Sequence, residues 1–279
     1  MQNPQVGSKT APPAYRRFPR GRTALPLPLP DVPWYVLAAV PLVMLAAYTM
    51  FGATGFGSSI IAVPALAHAF PLTFAVPFVT ALDGLATATA TTRQWRDAAL
   101  PEIWRILPAI FVGIALGATV LVSLPRAPAL AALGVFVAGY GAWQLAGARR
   151  MTRASAWWAL PIGLAGGAFS VMFGTGGPIY MVYLSARVRD KTRLRATSSL
   201  LVTFSVWTRI AIFVATGLLL DAPLVVLAAL MIPAMLVGLW LGNRLHHALS
   251  GPGVLRLVAL LLVGNGALLV VRAAGLFTG

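Results

Sequence analysis

The sequence predicts an all-α polytopic membrane protein of eight to ten transmembrane or re-entrant helices, in two repeats whose first helices are broken by glycine. Three observations carry this expectation. The 279 residues are 59% hydrophobic and 10% charged, against about 25% charged in a soluble domain. Apolar blocks, most of them near or above the ~20 residues a spanning helix needs, follow one another along the chain. Two of those blocks, at matching places in the two halves, are interrupted by glycine-rich motifs. The chain has no cysteine, so disulfides, cysteine-held metals and thiol chemistry are excluded. The formal net charge is +15, but the arginines cluster between apolar blocks, as in cytoplasmic loops. The excess therefore points to membrane topology and an anion-attracting field, with no nucleic-acid partner expected.

Residues 1–33 are polar and basic, with Arg16, Arg17, Arg20 and Arg22 followed by Pro26, Pro28, Pro30 and Pro33. No apolar run precedes a cleavage site, so this stretch does not read as a signal peptide. It reads as a disordered cytoplasmic tail ending in a stiff extended run. Apolar blocks follow at roughly 34–70, 72–92, 103–124, 128–147, 156–186, 194–217, 223–245 and 253–274. The expected division is a first membrane repeat over 34–150 and a second over 151–279. Blocks one and five exceed one straight span, and they are the two with glycine breaks. Their second pieces read as half-helices or short return helices. With the tail inside and simple crossings, Arg93, Arg96, Arg105, Arg149, Arg150 and Arg153 fall inside. Arg187, Arg189, Lys191, Arg193, Arg195 and Arg244 then fall outside, against the positive-inside rule. Letting block five enter and leave on one side returns both groups to the cytoplasm. Glycine pairs four apart, Gly113/Gly117 in block three and Gly238/Gly242 in block seven, permit close helix approach.

The break in block five is Val171-Met172-Phe173-Gly174-Thr175-Gly176-Gly177-Pro178-Ile179-Tyr180. Its glycines and proline cannot continue a helix. Broken backbone in a bilayer is tolerated only where protein or water surrounds it. Pro178 suits the start of a new helix, whose free N–H groups favour an anion. Block one carries a second copy, Phe51-Gly52-Ala53-Thr54-Gly55-Phe56-Gly57. Two Gly-interrupted segments in matching places point to a transporter binding site, with Gly55, Gly57, Gly174, Thr175, Gly176 and Gly177 as its candidate residues.

Ionisable residues inside the blocks are few, and such residues are functional suspects. Asp83 and Arg209 sit at similar points of blocks two and six. Either they pair, or Arg209 meets an anionic substrate while Asp83 carries a proton. Blocks two and six also hold the hydroxyls of Thr80, Thr87, Thr89, Ser198, Ser199, Thr203, Ser205 and Thr208. Thr80 and Ser198 are the candidate anion ligands among them, although buried hydroxyls commonly bond their own helix. His68 and His246-His247 have no metal-ligand spacing and read as interfacial. No metal or other cofactor is expected.

The two breaks, the run Gly174 to Pro178, the following Arg193-Leu194-Arg195-Ala196-Thr197-Ser198 and the two glycine pairs resemble the TauE/SafE sulfite exporter family over about residues 35–272. The resemblance implies two repeats of about four helices and movement of sulfite, sulfonates or related anions across the bacterial inner membrane. The first break departs from the family's usual Gly-Gly-Gly, with bulky Phe56 between Gly55 and Gly57. The expected function is secondary transport of a small, sulfur-containing anion, with membrane lipid as the other partner and a homo-oligomer left open. No Gly-Lys-Ser or Gly-Lys-Thr nucleotide loop is present. The alternatives are transport of another small organic anion, a membrane-embedded enzyme or a scaffold subunit. An enzyme would need paired acids, a His cluster or an activated nucleophile, and the chain has six acidic residues and three histidines.

Overall fold

The computed structural model describes residues 34–91, 95–147, 154–244 and 252–278. The basic tail, the repeat boundary at 150, Arg93, the cluster Arg149, Arg150 and Arg153, the His246-His247 pair and the side chain of Thr89 lie outside the described residues. The described chain is all-helical: α1 (Trp34–Thr54), α2 (Ser58–Ala67), α3 (Leu72–Thr91), α4 (Leu100–Ser123), α5 (Arg126–Leu145), α6 (Ala159–Phe173), α7 (Gly176–Arg187), α8 (Lys191–Ala215), α9 (Ala222–Arg244) and α10 (Pro252–Thr278). Seven are long and apolar enough to cross a membrane: α1, α4, α5, α6 with its leading turn, α8, α9 and α10. Large apolar side chains such as Trp34, Leu42, Trp157 and Val271 point outward, the direction in which a bilayer would meet them.

The halves correspond element by element, and they are interlocked. α1 packs on α9 and α6 packs on α4, while α3 meets α8 and α5 meets α10. Lipid is as apolar as leucine, so helices associate through close backbone approach at small residues. A Cβ on Gly52 would lie 2.6 Å from the Leu239 carbonyl oxygen, and one on Gly117 would lie 2.7 Å from that of Ala168. The glycine pairs of α4 and α9 serve equivalent contacts one turn out of register. Gly242 reaches Gly52 at the first break, whereas Gly117 stops at Val171, short of Gly174.

Both broken blocks fold back. In the second half, Tyr180 of α7 packs against Gly166 of α6, and Arg187 Nη1, at the end of α7, donates to the carbonyl of Ala154, just before α6. The two ends of block five therefore lie on the same side of the bundle, one of the two arrangements that the charges alone left open. The position of Pro178 needs a correction. α7 begins at Gly176, so Pro178 is its third residue and does not open it. It still sits in the first turn, where a missing N–H removes no helix bond.

Candidate functional site

The two breaks differ in construction. The first needs two left-handed residues, Gly55 (φ 81°) and Gly57 (φ 100°), a conformation open to glycine without strain. Thr54 Oγ1 steadies it from 2.8 Å of the Met50 carbonyl and 2.5 Å of the Phe56 carbonyl. The second break turns on a single left-handed residue, Gly174 (φ 71°). Its N–H donates to the Ser170 carbonyl at 2.8 Å, and Thr175 leads into α7 without capping it.

The breaks meet at one cavity of about 20 Å³, lined among others by Phe56, Ser59, Asp83, Gly174, Thr175 and Arg209. Asp83 and Arg209 are each 2% exposed. The Asp83 carboxylate accepts three hydroxyls: Tyr48 at 2.9 Å and Ser58 at 2.7 Å on Oδ1, and Ser59 at 2.8 Å on Oδ2. Arg209 Nη2 lies 3.6 Å from Oδ2, and Nη1 donates to the Ser170 carbonyl at 3.0 Å. That leaves buried Arg209 Nε and buried Thr175 Oγ1 with no hydrogen-bond partner among the described residues. Buried polar atoms of this kind are uncommon.

The fold builds this junction twice. In the second half Ser170 Oγ meets Ser205 Oγ at 2.7 Å, and Tyr180 Oη meets Ser205 Oγ at 3.2 Å. Tyr48 and Asp83 are 35 residues apart, as are Ser170 and Ser205; Ser58 and Asp83 are 25 apart, as are Tyr180 and Ser205. The same number of residues separates the members of each pair Tyr48/Ser170, Ser58/Tyr180 and Asp83/Ser205, and also Phe51/Phe173. Asp83 thus corresponds to Ser205. Arg209 corresponds to Thr87, whose hydroxyl bonds the Asp83 carbonyl at 2.8 Å. The expectation that Asp83 and Arg209 hold similar points of their helices is corrected by one turn.

The remaining candidates divide clearly. A Cβ on Gly174 would lie 2.7 Å from Ser59 Cβ and 3.3 Å from Arg209 Nη1, and one on Gly177 would lie 3.3 Å from Phe56 Cδ2. Both glycines therefore border the cavity, as does Gly57. Gly176 faces away, toward the Gly166 carbonyl at 2.8 Å. Gly55 faces the side chains of Arg195 and Ser199, where Arg195 Nη2 donates to the Gly52 carbonyl at 3.2 Å. Thr80 donates to the Val76 carbonyl at 2.8 Å and Ser198 to the Arg195 carbonyl at 3.0 Å, so each hydroxyl is used within its own helix. His68 Nε2 meets Asn265 at 3.0 Å, and the His68 carbonyl accepts from Arg272. Tyr48, Ser58, Ser59 and Ser170 were not expected at the site. The signal for the two serines was available: they follow Gly57 directly and open α2.

Two folded-back helix pairs closing on a buried polar cavity, within a bundle of membrane-length helices, define a polytopic helical membrane protein. The chain belongs to the sulfite exporter TauE/SafE family, whose model matches residues 40–269. It is similar to a protein of Comamonas testosteroni described as "Probable inner membrane transporter protein TsaS". The two are 29% identical over 174 residues, which is 62% of this chain and 71% of that protein. No solved structure matches the chain.

Proposed function

We propose that this chain is a secondary transporter of a small sulfur oxyanion, sulfite or a sulfonate, across the bacterial inner membrane, with the Arg209 cavity as its binding site. The observation that carries the reading is the pair of buried donors, Arg209 Nε and Thr175 Oγ1, left without acceptors beside one cavity between the two breaks. An oxyanion supplies the missing acceptors. A guanidinium presents donors in a planar fork that matches such an anion. The first-turn N–H groups of α7, including that of Gly177, have no partner within their own helix and carry partial positive charge. Gly174 and Gly177 let the anion approach the backbone with no Cβ in the way.

A cavity of about 20 Å³ holds one water molecule and little more. The conformation described is therefore closed, and loading requires the breaks to part. The family membership and the name of the Comamonas relative support the transporter class. Full-length protein in liposomes tests the reading against a membrane enzyme: labelled sulfite or alkanesulfonate should cross chemically unchanged. Chemical turnover without flux would favour the enzyme, and neither flux nor turnover would favour a scaffold.

A further inference from the structure

The two junctions share a plan but differ in charge. At the first, Asp83 gathers Tyr48, Ser58 and Ser59; at the second, Ser205 gathers Ser170 and Tyr180. Ser205 shows that three helices can close around a neutral hydroxyl at this position. The hydroxyl contacts of such a junction therefore do not themselves require a carboxylate. The added acid lies 3.6 Å from the added base, Arg209, and both border the cavity.

Charge balance in the closed cavity then limits what can enter. The buried pair is neutral when Asp83 is ionised. An anion that takes up the guanidinium leaves one uncompensated negative charge beside Asp83, in a site with room for about one water. A buried unpaired charge is strongly disfavoured, and ionisable groups relieve it by changing protonation. The other groups facing Asp83 cannot take that role. Tyr48 from α1 and Ser58 and Ser59 from α2 are hydroxyls that already donate to it. α6 contributes the Ser170 carbonyl to Arg209. The ionisable side chain of α9 is Arg244, which lies over the Trp240 ring.

We infer that Asp83 is the proton-coupling site of this transporter: it takes one proton from the side of entry as one monovalent anion displaces it from Arg209, and returns that proton on the side of exit. One of the three hydroxyls then rotates to accept from the protonated carboxyl, so the junction stays bonded. The loaded cavity holds one cation, one anion and one neutral acid, so each transport cycle is electroneutral. The inference rests on the Arg209 cavity being the anion site.

The test uses full-length protein in liposomes with methanesulfonate, which stays ionised near neutral pH and cannot itself carry a proton. Uptake of labelled methanesulfonate is followed together with the pH of the lumen, reported by a trapped dye. The wild type should acidify the lumen by one proton per anion, at a rate unchanged when valinomycin and potassium clamp the membrane potential. Asp83→Asn, and Asp83→Ser as a copy of the Ser205 junction, should lose acidification and pH-driven accumulation yet still exchange internal for external anion. Wild-type uptake without acidification, or acidification that persists in both variants, would overturn the coupling and leave the anion site standing. Loss of exchange in both folded variants would make Asp83 an anion-site residue and would also overturn it. No methanesulfonate uptake or exchange by the wild type would overturn the anion-site reading, and the coupling with it.

Discussion

The hydroxyls at the first break are all bonded, and one at the second break is not. Around Gly55 and Gly57, Thr54 bonds both flanking carbonyls, Ser58 and Ser59 are tied to Asp83, and Phe56 fills space at the cavity. Around Gly174 the chain turns on one residue, Thr175 keeps an unused hydroxyl, and the facing arginine is incompletely bonded. Two copies of one device have thus diverged. On the proposed function the first copy acts as a wall, and the second, with donors left over, meets the ligand.

The sharpest way to break this contrast is at Arg209. Arg209→Ala should cut sulfite or sulfonate flux by about 100-fold or more. It should also cost about 3–5 kcal/mol of stability, because it strands a buried carboxylate. Arg209→Lys keeps the charge but not the fork; flux about tenfold lower with near-normal thermal stability in detergent is expected. Wild-type flux in Arg209→Ala would remove the residue from the site.

The two adjacent glycines of α7 separate packing from binding. A Cβ on Gly176 meets the Gly166 carbonyl, so Gly176→Ala should destabilise the fold by about 1–3 kcal/mol through overpacking. Gly177→Val points at Phe56 instead and should abolish flux while the protein still inserts and folds. Matched amounts of each variant, assayed for melting and for flux, distinguish the two outcomes. Equal loss of stability in both would mean that the second break is only a packing joint.

Removing the wall should loosen selectivity. Phe56→Ala widens the cavity and should favour larger sulfonates over sulfite by about tenfold, within the 1–3 kcal/mol range of a pocket that reads size. Competition uptake with sulfonates of increasing chain length measures the shift, and an unchanged order of preference would exclude Phe56 as the limiting surface. The smallest effects contrast two threonines. Thr54→Val should cost about 1–2 kcal/mol of stability, since its hydroxyl is fully used. Thr175→Val should leave melting nearly unchanged and weaken anion binding by about 1 kcal/mol, measured by calorimetry in detergent.

The breaks were legible because glycine and proline act locally, so the runs at 52–57 and 174–178 mark them in the sequence. Arg209 and Asp83 were legible because an ionised side chain inside an apolar block is costly wherever it sits. Tyr48 was not, since a tyrosine in an apolar helix gives no sign of a carboxylate on another helix. Ser58 and Ser59 were hidden for the same reason, although the repeated spacing to Asp83 and Ser205 lay in the sequence once its register was known. The intrahelical bonds of Thr80 and Ser198 were not legible, because the hydroxyl count of a helix does not tell which hydroxyls turn onto their own carbonyls. The glycine pairs of α4 and α9 match by eye but pack one turn apart, a shift that only the contact with α1 and α6 reveals.

The interlocking of the halves also sets an order of events during synthesis. α1 leaves the ribosome long before α9, its packing partner, exists. α3 likewise enters the bilayer before α8 delivers Arg209. Throughout that interval the nascent first half carries a carboxylate in apolar surroundings, with Tyr48, Ser58 and Ser59 as the groups at hand to shelter it. The three hydroxyls around Asp83 are thus equipped for a task that precedes transport: holding an acid inside a half-made protein until its cation arrives.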